Sequence, residues 1–151
     1  RVGIGLYGLN PWEDREFGEY GLQPAMRAVA QVVNLKRVPA GQGVSYGYRY
    51  RTDKETTLAL VPFGYSEGMP RIAVGAKVLI AGRQFEISGR VAMDQFVVDV
   101  GDHQIALGSE VVIFGDPATG EPSADQLGAS AGTINYEIVT RIGGRAKRVY
   151  L

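Results

Sequence analysis

The side chain in this sequence best placed to do chemistry is a tyrosine hydroxyl framed by glycines. In Ala40-Gly41-Gln42-Gly43-Val44-Ser45-Tyr46-Gly47, a phenol sits in a turn that leaves a hydrophobic segment. The glycines permit positive φ angles and a close approach of the backbone to a ligand or partner. A phenol can give up and take back a proton, so Tyr46 is a candidate acid/base group. Glycine-rich segments beside tyrosines are also ordinary β-turns with an aromatic lid, and this segment alone does not separate the two.

Composition bounds the other chemistries. The 151 residues fit one compact domain, and 45% hydrophobic content suffices for a core. Sixteen basic and sixteen acidic residues cancel, which gives no general pull toward nucleic acid or anionic lipid. There is no cysteine, so disulfides and thiolate metal sites are excluded, and a reducing compartment is compatible. His103 is the only histidine, and no carboxylate run has calcium-loop spacing, so no metal is expected. No apolar run approaches the roughly 20 residues of a membrane span, and the opening lacks signal-peptide layout. A cytoplasmic protein is expected. The start at Arg1, on an apolar segment, reads as a cut inside a longer polypeptide.

The elements that must position these residues read as mostly β. Val2 to Tyr7 is an apolar strand, followed by a polar loop over residues 10–24 with the single tryptophan, Trp12. Ala25 to Val38 reads as one long strand closed by Pro39. Further strands are expected at 57–62, 77–81, 84–87, 90–93, 96–100, 104–107, 110–114, 134–141 and 147–151. Gly82-Arg83 and Gly101-Asp102 read as hairpin turns. Ser123-Ala124-Asp125-Gln126 carries a capping box, which predicts one helix ending near Gly132. Many short antiparallel strands with one short helix predict a mainly β fold, a closed Greek-key β-barrel.

Four segments are specific in combination: Val44-Ser45-Tyr46-Gly47; Pro62-Phe63-Gly64-Tyr65-Ser66-Glu67-Gly68-Met69-Pro70-Arg71; Gly89-Arg90-Val91-Ala92-Met93-Asp94-Gln95; and Gly132-Thr133-Ile134-Asn135-Tyr136-Glu137. In this order the chain resembles the C-terminal domain of alanine racemase, from its first residues to Tyr150. The resemblance implies an enzyme that uses pyridoxal 5′-phosphate to interconvert L- and D-alanine, the latter for peptidoglycan, as a head-to-tail homodimer whose sites combine both subunits. It also implies that residues 1–9 are the last strand of an α/β barrel that precedes this chain. Residues 10–24 are then a linker, and residues 25–151 the β-barrel domain.

The resemblance assigns roles residue by residue. Racemisation removes a proton from one face of the α-carbon and returns one to the other, so two acid/base groups must flank the substrate. Tyr46 matches the tyrosine that does so from the partner subunit; the other group is the cofactor lysine. Tyr136 matches a tyrosine that contacts the cofactor phosphate, with Gly3 and Ile4 as backbone contacts. Arg1 matches an arginine facing the ring nitrogen. Met93 matches the residue whose backbone amide meets the substrate carboxylate, while its side chain reads as core filler. Tyr65, Arg71, Arg90, Asp94 and Ile134 match the substrate access channel and its supports. Met69 stands where an aromatic residue is frequent, which implies a differently shaped channel. None of the four lysines, Lys36, Lys54, Lys77 and Lys147, occurs in a motif like the cofactor site, so the chain alone is expected to be inactive. Two other readings stand beside this one: a non-catalytic β-barrel that serves as an assembly or interaction module, and a racemase of broader amino-acid specificity.

Overall fold

The computed structural model describes residues 3–12, 20–73 and 75–150. Among these, the strands are β1 (Ala28–Gln31), β2 (Asn34–Val38), β3 (Gly43–Val44), β4 (Tyr50–Arg51), β5 (Thr56–Val61), β6 (Lys77–Ile80), β7 (Arg83–Glu86), β8 (Phe96–Gly101) and β9 (Glu110–Phe114). Two helices follow, α1 (Ala124–Ser130) and α2 (Asn135–Arg141). Every strand pairing is antiparallel.

Alternation of apolar side chains sets the sheets. In β8, Phe96, Val98 and Val100 are buried while Val97 and Asp99 turn to a half-buried face. β5 lies between β2 and β8 in a three-stranded sheet and buries Thr56, Ala59 and Val61. A four-stranded sheet has the order β1-β9-β6-β7; there Val111 to Phe114 are buried in unbroken succession, as expected of a strand covered on both faces. Val61 and Val98 of one sheet and Ile80 and Ile113 of the other join a single core with Leu127 and Ile138 of the helices. Each such side chain contributes about 1.5–3 kcal/mol on burial.

The mainly antiparallel β character is as expected, but the ladders do not close into a barrel among the described residues. They divide into sheets of four, three and two strands. The two larger sheets meet through one isolated bridge, Ile87 to Val98, and through a chain run that changes sheet at Val32 and Val33. There Val32 donates its N–H to the Ser109 carbonyl at 2.9 Å, and Val33 donates to that of Leu60 at 3.0 Å. The expected long strand over residues 25–38 is therefore two strands, one in each sheet.

Other expectations also shift. The hairpin turn between β6 and β7 is Ala81-Gly82, with φ of 48° and 75°, one residue earlier than read. Residues 104–107 join no ladder: they lie between a reversal in which His103 N–H bonds Val100 O at 3.1 Å and another in which Ser109 N–H bonds Ala106 O at 3.1 Å. Residues 90–93 form part of a loop whose turn is closed by Ala92 N–H to Gln95 O at 2.9 Å, and residues 147–150 are irregular. Ile4–Tyr7 is a 3₁₀ turn, closed by Gly8 at φ 66°, rather than a strand. Residues 134–141 are not a strand either, since α2 buries Asn135, Ile138 and Val139, followed by Ile142, at helical spacing. The predicted helix is α1, and its capping box is formed: Ser123 N–H donates to Gln126 Oε1 at 3.0 Å, and Gln126 N–H donates to Ser123 Oγ at 3.1 Å.

Candidate active site

Tyr46 stands at the head of a strained turn between β3 and β4. Ser45 has φ 58° and ψ −170°, Gly47 has φ 73° and Tyr48 has φ 43°. A non-glycine residue in the first of these regions costs about 1–3 kcal/mol and persists only where its surroundings impose it. Part of that imposition is visible: Ser45 Oγ donates to the Arg90 carbonyl at 2.6 Å. The Tyr46 side chain is 66% exposed. It lines an open cleft of about 550 Å³ together with Ala92, Gln95 and Val97.

The facing loop brings several predicted residues together. Arg90 lies against the turn, with Nη1 3.5 Å from where a Cβ on Gly47 would stand. Met93 is 54% exposed, so its side chain is not the core filler expected from its type; it lies within the turn closed by Ala92 N–H to Gln95 O. Met69, by contrast, is buried in the core. The Met93 backbone is fixed by Ser66 N–H, which donates to its carbonyl at 2.9 Å, while Tyr65 N–H donates to Ala92 O at 3.1 Å. This approach requires glycine at position 64, since a Cβ there would stand 2.1 Å from Met93 O. Asp94 Oδ1 lies 3.2 Å from Ser66 Oγ. Tyr65 is exposed at the start of its 3₁₀ turn, and Arg71 is exposed with no ion pair to a described residue.

Under this loop lies a residue that sequence reasoning missed. Glu67, 2% exposed, accepts from Arg145 Nε at 2.7 Å, from Gly64 N–H at 2.7 Å and from Ser66 Oγ at 2.8 Å. The Arg145 guanidinium, helped by the Gly64 amide and the Ser66 hydroxyl, holds its carboxyl at about 2, against the desolvation that would raise it. Arg145 also donates to Asp94 O at 3.1 Å. A glutamate between serine and glycine carries no periodicity signal, so only the fold reveals it.

Asp99 and Tyr50 were likewise not singled out. Tyr50 Oη donates to Asp99 Oδ2 at 2.7 Å, and burial followed by this bond pushes the phenol up to about 12. A signal existed in Phe96-Val97-Val98-Asp99-Val100, where a carboxylate interrupts an apolar strand and must find donors.

A second group forms around Tyr136, which lies in α2 rather than on a strand. A Cβ on Gly3 would stand 3.8 Å from its hydroxyl oxygen, and its ring is 5.7 Å from that of Tyr7. That hydroxyl makes no hydrogen bond with a described residue. Ile4 packs on the core, and Ile134, the N-cap of α2, is exposed. Asn135 fixes the helix start by donating to Asp125 Oδ1 at 2.6 Å and Asn10 O at 2.8 Å. Arg1 lies outside the described residues. The structure thus gathers Tyr46, Arg90, Tyr65, Met93 and Asp94 around one loop system and Gly3, Ile4 and Tyr136 in another place. No hydrogen bond or ring contact joins the two groups among the described residues.

The sequence is 53% identical to the alanine racemase of Frankia casuarinae over 155 residues, covering all of this chain and 40% of that protein. It is 52% identical to that of Thermobifida fusca over 151 residues, covering 99% of this chain and 40% of the relative. The chain thus spans about two fifths of the length of these relatives. The fold matches the crystal structure of alanine racemase from D-cycloserine-producing Streptomyces lavendulae with a TM-score of 0.95 at 52% identity, over 99% of this chain and 40% of that one. The alanine racemase of Streptomyces coelicolor matches with a TM-score of 0.95 at 48% identity, over 99% and 39%. Residues 25–150 match the family model of the alanine racemase C-terminal domain, and the chain belongs to that family.

Proposed function

We propose that this chain is the C-terminal part of a cytoplasmic, pyridoxal-phosphate-dependent alanine racemase, a head-to-tail homodimer in which Tyr46 serves a site completed by the partner subunit. The observation that carries this reading is Tyr46 itself: an exposed phenol on a strained turn above an open cleft, in a chain of this family. Backbone strain at Ser45 and Tyr48, on either side of an exposed phenol, is the kind that clusters at functional sites. When bound, the cofactor supplies an electron sink for the α-carbon of the amino acid.

The residues of this chain do the remaining work. Tyr46 takes the α-hydrogen as a proton on one face or returns a proton there, while the cofactor lysine of the preceding domain serves the other face. The Met93 amide, steadied by the Ser66 contact to its carbonyl, receives the substrate carboxylate. The Tyr136 hydroxyl, with Gly3 and Ile4 beside it, fits a phosphate: a phenol donor with no partner among the described residues, next to a glycine whose missing side chain leaves room. Arg1 is assigned to the ring nitrogen. Tyr65, Arg71, Arg90, Asp94 and Ile134 shape access for a small amino acid.

The test uses this chain alone and the full-length protein that carries it. The chain alone, mixed with pyridoxal phosphate, shows no lysine-linked absorbance band and no interconversion of alanine. The full-length protein racemises alanine, and Tyr46→Phe lowers its kcat by at least about 100-fold with an unchanged fold. Turnover by the isolated chain, or full activity in the Tyr46→Phe enzyme, overturns the reading.

A further inference from the structure

The β3–β4 ladder that carries Tyr46 has only two residue pairs, Gly43 with Arg51 and Val44 with Tyr50. Two further backbone bonds extend it at its open end, Gly41 N–H to Thr52 O at 2.7 Å and Thr52 N–H to Gln42 O at 3.1 Å; a hairpin this short is still marginal by itself, yet its turn holds the positive-φ residues described above. Its incoming arm is fixed at Ser45. Its outgoing arm is fixed by Tyr50, whose hydroxyl donates to Asp99. Asp99 is itself held on several sides: Oδ1 accepts from Gly101 N–H at 2.9 Å and from the buried Thr56 hydroxyl, and the Asp99 N–H donates to Ser88 Oγ at 2.8 Å. Gly89 completes the seat, since a Cβ there would stand 3.0 Å from Val44 O and 3.6 Å from Tyr50 Cβ.

We propose that Asp99, acting through the Tyr50 hydroxyl, is a positioning residue for Tyr46: it ties the outgoing arm of the turn to the three-stranded sheet and keeps the Tyr46 phenol aimed at the reacting carbon. This rests on the acid/base reading of Tyr46. Acid/base efficiency falls steeply with small misplacements of the group. The high Tyr50 pKa keeps its hydroxyl a donor throughout the working range. Asp99 touches no reacting atom in this scheme.

The test is made in the full-length enzyme with Tyr50→Phe, which removes one oxygen and keeps the ring. Mirror-image alanines have an equilibrium constant of one, so any loss lowers kcat/KM equally in both directions, and the rate alone cannot say which face has failed. The primary isotope effect on α-deuterated substrate can. Expected is a roughly 10- to 100-fold loss in kcat/KM, with an isotope effect raised for only the enantiomer whose α-hydrogen faces Tyr46. Asp99→Ala behaves likewise. Asp99→Asn keeps the Oδ1 acceptor and offers an amide N–H to the Tyr50 oxygen, and it recovers activity to within about fivefold of wild type. Wild-type rate and isotope effects in Tyr50→Phe, beside an inactive Tyr46→Phe enzyme, overturn the clamp alone. Isotope effects raised equally for both enantiomers also overturn it, because general loosening has no preferred face. Full activity in Tyr46→Phe overturns the acid/base reading and the clamp with it.

Discussion

Arg145 reaches from the turn after α2 to the buried Glu67, Nε to Oε1 at 2.7 Å, and with its other arm bonds the Asp94 carbonyl at 3.1 Å. One side chain therefore braces both loops that present Tyr65 and Met93, residues 63–68 through Glu67 and residues 92–95 through the Asp94 carbonyl.

This brace makes the fold acid-sensitive. The Glu67 carboxyl is depressed from 4.5 to about 2, so the folded state binds its proton less readily than the unfolded chain. The resulting stability is fully present above about pH 4.5 and is lost as pH falls toward 2. It amounts to about 3 kcal/mol. Urea unfolding between pH 7 and pH 2 is expected to show that decline in the wild type. Glu67→Gln is less stable at pH 7 and flatter over the same window; an equal slope in the two proteins rules out Glu67 as its source.

Gly64→Ala places a methyl group where only 2.1 Å separates it from Met93 O, so the 92–95 turn must move. If the Met93 amide holds the substrate carboxylate, the full-length enzyme shows an increase in KM for alanine of about tenfold. Its kcat is expected to change less. Steady-state kinetics in both directions decide the matter.

Gly47→Ala tests the turn from the other side. At φ 73° alanine costs about 1 kcal/mol, and its Cβ would meet Arg90 Nη1 at 3.5 Å. Activity is expected to fall by more than this stability loss implies, because the strain falls on the neighbour of Tyr46. Paired measurements of melting temperature and kcat/KM separate the two effects.

Ser123→Ala removes the α1 cap, both of whose reciprocal bonds are formed. The expected loss is about 1 kcal/mol, read as a fall in melting temperature of about 2–4 °C. Activity of the full-length enzyme at a temperature well below the transition stays unchanged.

What the sequence made legible follows from how local each signal is. The α1 cap is visible because four consecutive residues carry it, and β8 and β9 because apolar residues there dominate short runs bounded by turns. α2 was hidden because Ile134, Ile138 and Val139 are β-branched, and strand propensity masked the spacing of Asn135, Ile138, Val139 and Ile142. The bend at Val32-Val33 has no glycine or proline to announce it; it is decided by partners at Leu60 and Ser109. In the candidate site, motif residues such as Tyr46 and Met93 were readable by resemblance. Their supports, Glu67, Arg145, Tyr50 and Asp99, are joined over sequence separations of 78 and 49 residues, which no local pattern encodes.

The change of sheet at Val32 and Val33 has a consequence for cooperativity. Only Val32 and Val33 separate β1 from β2, so opening of β1 from β9 is expected to be coupled to opening of β2 from β5. The amides of Val32 and Val33 bond to different sheets yet are adjacent in the chain. Hydrogen exchange should report one opening free energy for both, that of the largest unfolding event of the domain.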